Sequence, residues 1–252
     1  MRSRIAYLIF IVILGALAYI GLQADHRSFV GSLFAAFLSA FIVFFVEMEL
    51  RPQITIVQEE THPPLPDGRK FLRVVVTNCA LWWPLRLIMD RRPANQVRAW
   101  ITFLTESNNP VFAPGRQMMG RWSNTPEPVR PLIISQASGG GPGMTFLHDL
   151  SVTRDAVDIG SGASEILDIV MRAPGEEGCR GWHNRIIQNP NLRPEDRFEL
   201  PRGRYHARVR VDVSGRSFIA LFRIVCDVGI EDFRLAFKAP GSDLQIDLWG
   251  VI

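Results

Sequence analysis

The chain has 252 residues, with 28 lysines and arginines against 25 aspartates and glutamates, and a formal charge of +3 at pH 7. So small an excess excludes the broad basic surface that duplex nucleic acid requires, and no nucleic-acid partner is expected. Three cysteines, Cys79, Cys179 and Cys226, odd in number and widely spaced, exclude a disulfide framework and fit a reducing compartment.

The chain opens with two apolar runs, residues 5–22 and 29–46, separated by the six residues 23–28. Each run lacks a charge over eighteen residues, and at ~1.5 Å per helical residue each nears the thickness of a bilayer core. The sequence therefore predicts a two-helix transmembrane hairpin over residues 1–51 in a cell membrane, multi-pass with two spans. The rival reading is a cleaved signal peptide ending near Ala24. Arg2, Arg4 and Arg51 outside the hairpin, against Arg27 and His26 in its loop, place both ends on the cytoplasmic side. Gly31, Ala35 and Ser39 recur at four-residue spacing and form a helix-packing row that admits close approach of another helix. Neither span holds a charge that marks an ion or proton path.

Residues 52–252 read as β. Strands are expected at 54–58, 71–77, 97–105, 132–135, 144–147, 165–171, 205–213, 217–226 and 233–237, with a final alternation at 244–248. The clearest is Tyr205, Ala207, Val209, Val211 and Val213 alternating with His206, Arg208, Arg210 and Asp212, the period-two pattern of a half-buried strand. Ser214-Gly215 before the next β-rich run marks a hairpin. Short strands punctuated by proline and glycine, with no helices for parallel crossovers, predict a cytoplasmic antiparallel β-sandwich, Ig-like or an open barrel.

Between the strands lie the candidate sites. Segment 81–92 carries Trp82 and Trp83, long aliphatics, and Arg86, Arg91 and Arg92. It reads either as a membrane-interface loop, with tryptophans at headgroup depth and arginines on anionic lipid, or as a buried plug. Loops 107–130 and 173–194 are long for a compact domain, and each holds a tryptophan, Trp122 and Trp182, expected to contact a partner. The glycine-rich residues 138–143 lack the lysine and helix of a phosphate loop and read as a connector. Cys179 and His183 have a metal-like spacing but lack further ligands, so no metal is expected, nor any other cofactor. Arg204, Arg208 and Arg210 share one strand face and offer an alternative anion-binding surface. No nucleophile elbow or acid pair points to catalysis.

The expectation is a membrane-anchored, non-enzymatic β-sandwich acting as an interaction or scaffold subunit of a membrane complex. Its partners would be the lipid bilayer and another membrane protein or a second copy of itself. The alternative is a sensor-effector whose β domain binds a small anion and whose hairpins oligomerise. In outline that arrangement resembles two-span β-barrel effectors of bacterial antiviral signalling, a likeness of architecture and not of motif.

Overall fold

The computed structural model describes residues 29–60, 63–124, 132–136, 142–146, 155–188 and 194–237. The chain divides into two compact units, Met1–Arg51 and Pro52–Ile252.

In the first unit the described element is α1 (Phe29–Leu50), an apolar helix whose last turn carries Glu47 and Glu49. Among the described residues no helix is long and apolar enough to cross a membrane. This corrects the expected two-helix transmembrane hairpin. It also removes the basis for the multi-pass cell-membrane localisation and for a domain facing the cytoplasm. The expected first span, residues 5–22, lies outside the described residues, and so do the side chains of Gly31 and Ala35; Ser39 is exposed.

The second unit is β-sandwich-like. Its first sheet takes β1 (Ile54–Gln58), β2 (Lys70–Asn78), β9 (Ser164–Arg172), β10 (Cys179–Gly181) and β11 (Glu199–Leu200) in that order, and β5 (Arg121–Trp122) also pairs with β9. In the second sheet the order is β14 (Arg234–Phe237), β13 (Arg216–Val225), β12 (Arg204–Val213), β3 (Ala94–Thr105) and β4 (Met118–Met119), with β8 (Val157–Ile159) also on β3. β6 (Leu132–Gln136) and β7 (Pro142–Phe146) pair with each other. Every described pairing is antiparallel. Two short helices, α2 (Trp83–Arg86) and α3 (Asn184–Gln188), and a 3-10 turn at Pro194–Arg197 lie in the loops.

The alternation read from the sequence is the alternation of burial. Leu72, Val74 and Val76 of β2 and Val209, Val211 and Val213 of β12 point inward, while Arg208 stays exposed. Both sheets contribute to one apolar cluster that includes Val74 and Ile169 on one side and Phe103, Val209 and Phe222 on the other. Ser214 and Gly215 adopt φ of 48° and 76°, the two positive values that a two-residue hairpin demands, so β12 and β13 pair along ten residues. The strand expected after the glycine-rich segment is present as β7; residues 137–141 and 244–248 lie outside the described residues.

The chain changes sheets at Gly120. Met118 and Met119 pair with β3 of the second sheet, and Arg121 and Trp122 pair with β9 of the first. Gly120 N–H donates to Ala99 O at 2.8 Å. A Cβ here would stand 2.7 Å from Leu167 Cδ1 and 3.2 Å from Ala99 Cβ, so a larger residue would force the buried Leu167 side chain to shift.

Candidate interaction surface

The loop that leaves β2 is held firmly at its base. Asn78 is fully buried and its side-chain amide donates to Arg92 O (3.1 Å) and Ile159 O (3.2 Å), while Gln53 N–H donates to its Oδ1 at 3.3 Å. Cys79 N–H donates to Gln53 O at 2.8 Å. Leu81 and Arg91, near the two ends of the loop, are both buried at 5% exposure. Between these fixed ends, Pro84 starts the single turn of α2. Arg86 N–H donates to Trp82 O (3.1 Å), and Met89 N–H donates to Leu85 O (2.9 Å).

The tip of this turn is apolar and faces water: Trp82 is 43% exposed, Trp83 70%, Leu87 79% and Ile88 78%. Arg86 and Arg92 border it and are exposed. This geometry disfavours the buried-plug reading, because only the base is packed. Of the arginines expected on the surface, Arg91 is buried. Leu87 and Ile88 belong to the aliphatic run of segment 81–92 and, with Trp83, are its most exposed apolar residues.

Trp122 is fully buried and Trp182 is 6% exposed. Each tryptophan packs its own loop onto the sandwich, Trp182 edge-on to Phe71 at 5.4 Å, and neither presents a surface to a partner. Below Trp122, Asp168 on β9 is 1% exposed and accepts from Arg73 Nε (2.8 Å), Arg121 Nη1 (3.1 Å) and Ser123 Oγ (2.8 Å).

The arginine row lies on the outer face of β12, as its spacing predicts, but most of its charge is compensated. Arg204 pairs with Asp227 at 2.7 Å and Arg210 with Asp212 at 3.3 Å. His206 is buried against Asn108 Oδ1 at 3.1 Å. Arg208 is exposed, between Thr102 of β3 and Leu221 of β13.

Residues 111–113 and 116 of loop 107–130 and residues 176–180 of loop 173–194, with residues 199–201, line an open cleft of about 820 Å³ whose apolar lining includes Val111, Phe112, Cys179 and Leu200. Beneath it Phe198 is held at φ 49°, a strained value for a bulky residue. It meets Phe112 edge-on at 5.2 Å and His183 at 5.6 Å, with the Arg116 guanidinium 5.6 Å above its ring. Around the cleft Arg116 pairs with Asp196, Arg180 with Glu176 and Arg197 with Glu199, and Glu177 lines it exposed.

Cys179 and His183 do not meet in a ligand set. His183 Nε2 lies 2.9 Å from Asp196 O, and burial pushes its pKa down to about 4. Cys179 is buried, as the strand partner of Leu200. Among the described residues no group of three His, Cys, Asp or Glu side chains is placed to hold a metal.

These features define an antiparallel β-sandwich-like domain that displays a rigidly based apolar turn. The sequence matches no family model and no curated protein. One similar solved structure is a family 123 glycoside hydrolase from Clostridium perfringens, 8% identical, with 68% of this chain and 26% of that chain aligned at a TM-score of 0.26. The chain thus spans about a quarter of that protein, and a likeness this slight assigns neither fold nor activity.

Proposed function

We propose that this protein is a non-enzymatic interaction module that inserts the 82–88 turn into an apolar pocket of a protein partner bordered by acidic side chains. The observation that carries the reading is the exposure of Trp83, Leu87 and Ile88 at 70–79% on one helical turn. Large contiguous apolar side chains in water mark contact sites, and tryptophan and arginine dominate contact energies. The buried base supports the same reading, because a preorganised turn loses little entropy on docking. Arg86 and Arg92 supply the complementarity that selects an acidic border.

The test is a photo-reactive residue placed at Leu87 in the full chain within its native cells. A discrete protein adduct that disappears on Trp83→Ala, with unchanged melting, is the expected result. Adducts with lipid alone, no adduct, or a collapse of stability on Trp83→Ala would each overturn the proposal.

A further inference from the structure

The cleft shares no residue with the 82–88 turn and is a built feature in its own right. Its apolar lining comes from Val111, Phe112, Ala113, Cys179, Leu200 and Pro201. The Phe112 ring is held in place, meeting Phe103 at 6.1 Å and Phe198 at 5.2 Å, both nearly at right angles. A volume of about 820 Å³ lies in the range of small-molecule sites, which combine apolar walls with a few placed polar groups.

The placed groups here are charged, and the acids outnumber the bases. Glu176, Glu177 and Glu199 line the cleft against Arg116 and Arg180, on a chain whose formal charge is +3. Both guanidinium groups are engaged. Arg180 pairs with Glu176, and Arg116 pairs with Asp196 and lies 5.6 Å above the Phe198 ring. Glu199 meets Arg197 at 3.6 Å with its side chain 50% exposed, a contact that water screens. Glu177 is exposed and has no basic partner among the described residues. Its place is set by Gly178. A Cβ on that glycine would stand 2.3 Å from Leu200 O and 3.3 Å from Pro201 C, so the backbone beside Glu177 lies directly against β11 and the residue after it.

We propose that the cleft binds a small organic cation, an amine carried on an aromatic or alkyl body. Its ammonium group meets Glu177 and Glu199, and its apolar part lies on Val111, Phe112 and Leu200. A ligand carboxylate would have to displace Glu176 or Asp196 from its arginine. An ammonium group leaves both pairs intact and meets a carboxylate that lacks a counter-charge. A neutral apolar ligand would strip water from Glu177 and give nothing in exchange. The Phe112 ring adds to the preference, because the quadrupole of an aromatic ring attracts cations.

The experiment titrates the full-length chain with phenethylamine, hydrocinnamate and phenethyl alcohol, which share one phenylethyl body and differ in charge, by calorimetry and saturation-transfer NMR. The amine is expected to bind saturably, and the carboxylate about tenfold or more weakly than the amine, as charge selection requires. Glu177→Gln, on an exposed side chain, should leave melting unchanged and weaken the amine by about fivefold. Glu177→Lys should abolish the preference for the amine over the carboxylate. The proposal is overturned if the amine shows no saturable binding, if the three ligands bind alike, or if the Glu177 variants leave the amine's affinity unchanged. The comparison of the three ligands on the wild-type chain is decisive whether or not the variants fold.

Discussion

Replacing Asp168 with asparagine should be among the costliest single substitutions in the domain. The carboxylate is 1% exposed and takes bonds from Arg73, Arg121 and Ser123, and Arg121 itself is buried at 5%. The amide removes the negative charge while both guanidinium groups stay in place, so a buried cation loses its counter-charge. Breaking a buried pair from one side costs about 3–5 kcal/mol. At roughly 2–4 °C per kcal/mol for a domain of this size, the melting midpoint should fall by about 6–20 °C. Thermal and urea unfolding of the full chain measure this directly. Asp168→Leu combined with Arg121→Met should recover much of the loss, because the buried guanidinium goes with the carboxylate and the remaining partner, Arg73, has a side chain 26% exposed to water. A cost under about 1 kcal/mol for Asp168→Asn would refute the reasoning, since it would mean that the guanidinium groups reach water without the carboxylate.

Two further outcomes follow from the same structure. His183 is held neutral with a pKa of about 4 in the fold against 6.5 unfolded, so the unfolded chain binds more protons as pH falls; stability is full above about pH 6.5 and is lost towards pH 4, by roughly 3 kcal/mol in all. Urea midpoints between pH 7 and 5 should show this slope, and His183→Gln should flatten it; an unchanged slope would mean that the histidine titrates normally. Arg208→Gln with Arg210→Gln removes one exposed charge and one surface pair with Asp212, so melting should move by less than about 1 kcal/mol; a selective loss of inorganic-phosphate binding in an intact fold would favour the anion-sensor alternative.

The sheets were legible where one face is wet. β12 shows alternation because one side packs into the core and the other meets solvent, and Ser214-Gly215 names its own turn. The two-residue strands β4, β5 and β11 escaped, because two residues carry no period. Segment 81–92 was recognisable by composition, but burial splits it into a packed base and an exposed tip, and composition alone does not say which. Trp122 and Trp182 misled for a related reason: an aromatic in a long loop packs as readily inward as outward. The apolar run at 29–46 is helical as expected, but the transmembrane hairpin built on it is corrected.

The passage of the chain through Gly120 makes the two sheets mechanically inseparable. The chain pairs with β3 on one side of that residue and with β9 on the other, so peeling either sheet pulls an edge from its neighbour. The sandwich therefore has no natural seam at which half of it could open while the other half persists, and its hydrogen-exchange protection should collapse in a single step.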